Sequence, residues 1–475
     1  MDEAFIRASK VAWRGQMLSS ISFQRHFTAC CLFLSLVCFH LKGEFHGPRT
    51  AVRSFDVFDT LVGRVHKDPH SVFRLVEKKW PFPGFTKLRI EADKRSDGTL
   101  DDIYRHFIAM NNCSLEEAKK LRAFELEIEL NNVFPIMSNL SKVQDGDILV
   151  SDTYYNSDEL MLILKKIGLN KKIDLFATNH GKSKGYIWPQ LRDRYYISSH
   201  LGDNYHSDVL SPGKYGIKGL LCNQTSYTEF EQRVCDWEQQ PIANLIRALR
   251  LVNPYSEHSV QWEIWNEQAK FNVPALVLAS ISLNAFCQNR DITSLLFLSK
   301  GCCHFAKIFK HLFPDHSSDY LQISPNVCQN PTPEYIRYVQ SLYSPDTLIV
   351  GERELDSSLH AFFSAYFSVV PNYITIACSR TLPHIFGEYI PSIGYMNVDR
   401  TGTLLSFGKN GPIYAPPEYE LEYVQPAHDC VKKCLSFLDE YTTYVYNSEF
   451  LNWLLRRSES TIPVLKQRYI NSPKE

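Results

Sequence analysis

The chain has 475 residues, long enough that two globular cores are expected rather than one. It is 44% hydrophobic and 22% charged, with 29 Phe and 25 Tyr, which excludes wholesale disorder. A formal net charge of -1 excludes a bulk field that would gather nucleic acid or acidic lipid, so no nucleic-acid partner is expected.

Residues 1–50 read as an N-terminal extension. Its run Phe27–Phe39, FTACCLFLSLVCF, is largely apolar and follows Arg7, Lys10, Arg14 and Arg25. A helix needs about 20 apolar residues to cross the roughly 30 Å of hydrocarbon, more than this run supplies. No small-x-small cleavage site follows it among Val37–Leu41. An apolar helix is therefore expected here, with a signal or anchor as the minor alternative, and a membrane partner is not expected. The 13 cysteines include no CxxC pair, so a zinc ribbon or thioredoxin-type site lacks support. The adjacent pairs Cys30/Cys31 and Cys302/Cys303 sit in apolar surroundings and read as buried, reduced thiols. Reduced thiols indicate a cytoplasmic setting.

The first strand signal is Ala51–Val62, AVRSFDVFDTLV, a β-prone run with two carboxylates towards its end. Helical spacing follows in Leu100–Met110, then Ser114 and Glu117 make a capping box before an amphipathic helix that reaches about Asn131. Strand-like runs return at Asp147–Thr153, Lys172–Ala177, Tyr195–Gly202 and Tyr215–Cys222, with a helix at Asp158–Ile167 between the first two. This alternation predicts an α/β fold with a Rossmann-like parallel sheet over 51–225 and a helical insertion at about 65–140. After a polar stretch near 223–240, a second α/β domain is expected over 240–475. Its strands are predicted at Ser294–Leu298, Tyr320–Ile323, Thr347–Val350 and Tyr373–Ala377, and its tail is helical from about 418.

Four features fall in order at strand ends: Asp56-Val57-Phe58-Asp59-Thr60, Ser151, Lys182 in GKSKG, and Gly202-Asp203-Asn204 with Asp208. A strand-end Asp is often only a turn cap, but ligands of parallel sheets bind at the carboxyl ends of strands. Taken together, the four features resemble the motifs of the haloacid dehalogenase superfamily over roughly 170 residues. The first motif, SFDVFDTL at Ser54–Leu61, together with TLDDIY at Thr99–Tyr104 and VSDTYY at Val150–Tyr155, is similar to a group of predicted bacterial hydrolases reading SFDxFDTL. Those hydrolases tend to be associated with cell-surface polysaccharide enzymes.

The resemblance implies a core sheet with a helical cap over the site and an Mg²⁺-dependent phosphatase acting on a small phosphorylated metabolite such as a sugar phosphate. Asp56 would attack phosphorus and form an aspartyl-phosphate, splitting one hard displacement into two. Asp56, Asp203 and Asp208 would hold Mg²⁺, which favours oxygen donors. Lys182, which fits the family's K-x-x-G spacing where Lys184 does not, would neutralise the nucleophile, and Ser151 would bond a phosphoryl oxygen. His206 reads as a loop residue, since Mg²⁺ prefers oxygen. The family's phosphatases carry a second Asp two residues after the nucleophile as general acid and base; here that position is Phe58. Asp59 is the remaining candidate, although in an extended segment it would point to the opposite face. Loss of that acid leaves a non-catalytic binding or assembly protein as the alternative function. In the second domain, Ser299-Lys300-Gly301 stands where the same group would carry Arg-Asp-Gly, and Gly351 alone remains of a Gly-rich turn. Either a binding or scaffolding role or a purely structural one is expected there.

Overall fold

The computed structural model describes residues 51–459 apart from 97, 112, 353–356, 369, 377–382, 387–393, 395 and 439–442. The apolar run Phe27–Phe39 and the pair Cys30/Cys31 lie outside the described residues. Val52–Asp193 and the described residues from Ile197 onward form one compact unit. The architecture is α/β, with two parallel sheets.

β1 (Ala51–Phe55) is shorter than the run Ala51–Val62 predicted. The chain leaves the extended conformation at Val57, whose carbonyl accepts the N–H groups of Leu61 and Val62 at 2.8 and 2.9 Å. Asp59 sits in this turn at φ 56°, a left-handed conformation that Asp tolerates better than most residues. The chain then enters β2 (Val62–Arg64), which pairs antiparallel with β3 (Val133–Pro135). This narrow ribbon is the stem of a helical insertion: α1 (Ser71–Lys79), α2 (Phe85–Lys94), α3 (Leu100–Asn111) and α4 (Leu115–Asn132). Only half of the expected capping box forms. The Ser114 side chain accepts the Glu117 N–H at 3.1 Å, while the Glu117 carboxylate accepts from the Cys113 thiol at 3.5 Å.

The insertion buries charge in pairs. Arg89 donates twice to Glu125, Nε to Oε2 and Nη2 to Oε1, both at 2.9 Å, and the Tyr104 hydroxyl adds a third bond to Oε2 at 2.9 Å. Arg64 Nε donates to Glu129 at 2.8 Å. Buried charges survive when each is paired and hydrogen-bonded; both pairs meet this, with Arg89 Nη1 and Glu129 Oε2 left without a hydrogen bond among the described residues.

The first sheet continues with β4 (Ile148–Asp152), β5 (Asp174–Thr178), β6 (Tyr196–Gly202) and β7 (Lys218–Leu221), in the order β5-β4-β1-β6-β7. β4 is covered on both faces, which is why Ile148, Leu149 and Val150 run apolar without alternation. Two helices connect these strands, α5 (Ser157–Lys166), capped reciprocally by Asn156 and Glu159, and α6 (Ile187–Arg194). The chain builds outward from β1 through β4 to β5, then crosses to β6 on the other side. The carboxyl ends of β1 and β6 therefore flank the topological switch point, where doubly wound sheets bind ligands.

The stretch 223–240, expected as a polar connection, contains α7 (Glu229–Asp236) with a complete capping box between Thr228 and Glu231. Then follow α8 (Gln240–Leu251), α9 (Val260–Glu267), a π-helical turn Gln268–Asn272 and α10 (Val273–Gln288). The run Val260–Gln288 is apolar and long enough to cross a membrane by length and composition, yet 67% of its most apolar window is buried inside the protein. The second sheet comprises β8 (Ser294–Leu298), β9 (Ser317–Leu321), β10 (Leu348–Gly351) and β11 (Asn372–Thr375), ordered β11-β10-β8-β9, each pair parallel. Its connecting helices are α11 (Cys303–Leu312), α12 (Pro333–Leu342) and α13 (Ser357–Phe367). An unexpected hairpin, β12 (Leu404–Gly408) and β13 (Gly411–Tyr414), turns at Lys409-Asn410, and α14 (Leu421–Leu435) and α15 (Ser448–Glu459) form the helical tail. One core cluster runs from Val65, Phe134 and Ile136 into α8, α10 and the tail, where the Phe134 and Phe437 rings lie 5.4 Å apart.

Candidate active site

Asp56 follows the last residue of β1, and its N–H donates to Leu201 O of β6 at 2.8 Å, tying the residue to the switch point. The side chain is buried, with Thr60 Oγ1 donating to Oδ2 at 3.0 Å from the far side of the turn. Lys182 Nζ donates to Asp56 Oδ1 and lies 2.8 Å from Asp208 Oδ1. Burial pulls the Lys182 ammonium down, and the charges of Asp56 and Asp208 more than reverse this. Lys184, by contrast, is exposed.

A single helical turn, Gly181–Lys184, holds Lys182 in place, and Asp152 anchors that turn from the end of β4. Asp152 accepts the N–H groups of Lys182 and Ser183, each at 2.8 Å, and the Thr178 hydroxyl at 2.6 Å. Burial raises the Asp152 carboxyl, but these bonds outweigh it and hold it below the usual range. Sequence reasoning singled out Ser151 and passed over Asp152, although a carboxylate at a strand end was the available signal.

Asp208 is fully buried and heavily bonded. Its Oδ2 accepts the Asn204 N–H at 2.8 Å, and His200 Nε2 lies 3.1 Å from Oδ1. The other His200 nitrogen, Nδ1, is 2.7 Å from the Ser54 hydroxyl. Burial lowers the His200 imidazole, the desolvated ring resisting a proton. Burial also raises Asp208, but the His200 bond and the Lys182 charge carry it down. Asp56 moves the other way, pushed up to about 6 because burial exceeds the help from Lys182.

Asp203 lies beyond the end of β6 and is pushed up to about 7, by burial first and then by the charges of Asp56, Asp59 and Asp208. One carboxylate oxygen from each of Asp56, Asp203 and Asp208 lies within 4.8 Å of the other two. His206 sits in the π-helical turn Tyr205–Leu210, exposed, its N–H donating to Asn204 Oδ1 at 3.0 Å.

The structure thus brings Asp56, Lys182, Asp203 and Asp208 together. Ser151 is buried in β4 opposite Ala177 of β5, and among the described residues no hydrogen bond joins its hydroxyl to those four. Phe58 packs beneath the Arg64 guanidinium, 4.2 Å from the ring centroid, and 6.2 Å from the Tyr155 ring. Asp59 does not lie in an extended segment, as the sequence suggested, but in the left-handed turn. Its carboxylate is 3.5 Å from Arg247 Nη2. Arg247, fully buried on α8, also donates to Thr225 O at 2.6 Å and Arg64 O at 3.0 Å. Nothing in the local sequence of α8 marks Arg247 for this position.

No protein-family model matches this chain, and no curated protein is found similar to it.

Proposed function

We propose that residues 51–225 form a hydrolase domain of the haloacid dehalogenase type, with the helices of about 65–140 as its cap, acting on a small phosphorylated metabolite such as a sugar phosphate. The observation that carries this reading is the Lys182 ammonium placed between Asp56 and Asp208, with Asp203 beside them, in the crevice where the strand order reverses. Convergence of residues so far apart in sequence is what a site requires and what strand-end caps do not.

The residues fit a divalent cation. Asp203 is raised by burial first and then by the charges of three neighbouring carboxylates, which Lys182 only partly offsets, so a further cation would relieve it. Asp56, Asp203 and Asp208 would hold Mg²⁺, an oxygen-only set suited to a hard ion, with Asp208 also orienting Lys182. When bound, the metal supplies charge neutralisation for phosphoryl oxygens.

The protein's own residues do the rest. The Asp56 carboxylate attacks phosphorus, the bond to the leaving oxygen breaks, and water then cleaves the aspartyl-phosphate, releasing phosphate and restoring Asp56. Lys182 neutralises the attacking carboxylate, and the buried setting strengthens that interaction. Asp59 donates the proton to the leaving oxygen. Its support is the turn that lifts it out of the extended path, together with the effect of its charge on Asp203. Such proton transfer contributes typically about 10²- to 10⁴-fold.

A second reading rests on Phe58. With its ring clamped by Arg64 at the usual acid position, the domain would bind a phosphorylated ligand or assemble with a partner without turning it over. The two readings part in a panel of aryl and alkyl phosphates assayed with Mg²⁺. The enzyme reading expects turnover that Asp56→Asn abolishes, with Asp59→Asn cutting alkyl phosphate turnover by about 10²-fold or more and Phe58→Asp adding little. If Phe58 has displaced the acid outright, Phe58→Asp gains activity and Asp59→Asn changes little. No turnover by wild type or any variant transfers the assignment to the binding reading.

A further inference from the structure

Apart from the carboxylates, one other group of side chains converges in the way metal ligands do among the described residues: Cys303, His304 and His428. One ligating atom from each lies within 4.8 Å of the other two, and all three residues are buried. The group sits at the start of α11, against α14.

His304 is the informative member. It is 0% exposed, and neither ring nitrogen has a hydrogen-bond partner. Buried polar groups are nearly always satisfied, so an imidazole with two idle nitrogens calls for a partner of another kind. Its ring meets that of His428 edge-on at 4.5 Å between centroids. His428 Nε2 lies 3.1 Å from the Val398 carbonyl, which fixes the proton on that nitrogen and leaves the Nδ1 lone pair available. Ligating histidines are oriented by such a carbonyl on the far side of the ring. Lys307 Nζ approaches Nδ1 at 3.5 Å, but the lysine is exposed and free to swing into solvent. Arg400, the other nearby cation, is also exposed, and its neighbour Asp399, which accepts the Tyr320 hydroxyl at 2.8 Å, is an anion whose charge reaches Cys303 and His428.

The surroundings are built to hold the group still. Cys303 Sγ lies 3.4 Å from Asn397 O, in the loop that also supplies the Val398 carbonyl. The π-helical turn between α9 and α10 clamps that loop: Gln268 donates to Met396 O at 2.7 Å, and Asn272 donates to Asn397 Oδ1 at 3.0 Å. Single π-helical turns within longer helices occur frequently at functional sites.

We propose that Cys303, His304 and His428 bind a single Zn²⁺ ion, with a fourth position open to water. Nitrogen and sulfur donors select zinc over the hard cations that suit the aspartates, so this is a second and chemically distinct metal site. Binding forms a zinc–thiolate bond and sends the Cys303 thiol proton to solvent.

The test uses the full chain purified without chelator. Elemental analysis should find about one zinc per chain, and Co²⁺ should compete for the site and produce the near-ultraviolet absorption of a thiolate-to-cobalt bond. Cys303→Ser should abolish that absorption, His428→Gln should raise the Co²⁺ concentration needed to produce it at least tenfold, and Asp203→Ala should leave the absorption unchanged. Wild-type protein that carries no zinc and shows no thiolate absorption with Co²⁺ overturns the proposal, whatever the variants do. Absorption that persists in Cys303→Ser overturns it equally, and circular dichroism of each variant separates lost ligands from lost folding.

Discussion

Replacing Lys182 with Met tests the electrostatics of the carboxylate site directly. The substitution keeps a side chain of similar volume and removes the cation between two buried carboxylates, whose side chains are 6% exposed in Asp56 and 0% in Asp208. Breaking a buried ion pair by deleting one partner costs about 3–5 kcal/mol, because a charge remains without compensation. Protonation limits the cost. In the wild type Asp56 is already pushed up to about 6 by burial, and Lys182 is the largest influence holding it down. Without the lysine its carboxyl rises further, so the native state binds a proton that the unfolded chain, near pKa 3.9, releases. Stability tied to a raised acid is fully present below the unfolded pKa and is lost as pH rises to the folded value, at up to about 1.4 kcal/mol per unit. Above pH 6 the wild-type contribution levels off while the variant keeps losing, so the deficit should widen by up to about 3 kcal/mol between pH 6 and pH 8. Equilibrium urea unfolding at both pH values, with chelator present, reads this difference. The double variant Asp56→Asn/Lys182→Met should recover most of it. A Lys182→Met protein within about 1 kcal/mol of wild type at both pH values, or a double variant no better than the single, would refute the argument.

Asp203→Ala should abolish the heat of Mg²⁺ binding in calorimetry, and an unchanged isotherm would remove Asp203 from the ligand set. Asp152→Ala frees two backbone N–H groups and a hydroxyl at the Lys182 turn. It should cost about 1–3 kcal/mol in urea unfolding, and an unchanged midpoint would show that the turn is held by other means. Glu267 is pushed up to about 8 by burial, which Lys270 only partly offsets. Its stabilising contribution is present below about pH 4 and is lost as pH rises through 8, so Glu267→Gln should raise the melting temperature at pH 9 and barely move it at pH 4. Equal shifts at both pH values would contradict this.

The parts of the site legible in the sequence are those whose cause is local. Val150 to Asp152 reads as the end of a buried strand because an apolar run stops at polar residues. Lys182 is set apart from Lys184 only by the K-x-x-G spacing of the family that the chain resembles, and the structure buries Lys182 while leaving Lys184 exposed. The hairpin turn was legible too, because Gly411, which follows the turn residues Lys409 and Asn410, adopts φ 103°, a conformation that favours glycine. The Asp59 turn was not legible: a non-glycine residue in the left-handed region leaves no mark in composition, and the strand pattern of its neighbours argued for extension. The Cys303, His304 and His428 group escaped for another reason. His428 lies far downstream on a different helix, so no spacing rule of the kind that reveals zinc fingers applies to it.

Arg247 shows why such omissions cluster around function. Its guanidinium reaches from α8 to the carbonyls of Thr225 and Arg64 and to the carboxylate of Asp59, so one buried cation braces the end of the first sheet, the ribbon of the helical insertion and the turn beside Asp56. Burial lowers its guanidinium, and the first charge that opposes this is that of Asp59. A buried cation with one weak ion pair at 3.5 Å and two carbonyls is held by geometry more than by charge, so its orientation depends on the packing of α8. That packing comes from the continuous core shared with α10 and the tail. A chain cut after residue 225 would keep every motif visible in the sequence and lose the side chain that braces Asp59. The second half of the molecule is therefore part of the structure around Asp56, and Asp59, the acid in the proposed reading, is braced by a side chain from outside the segment that resembles a hydrolase.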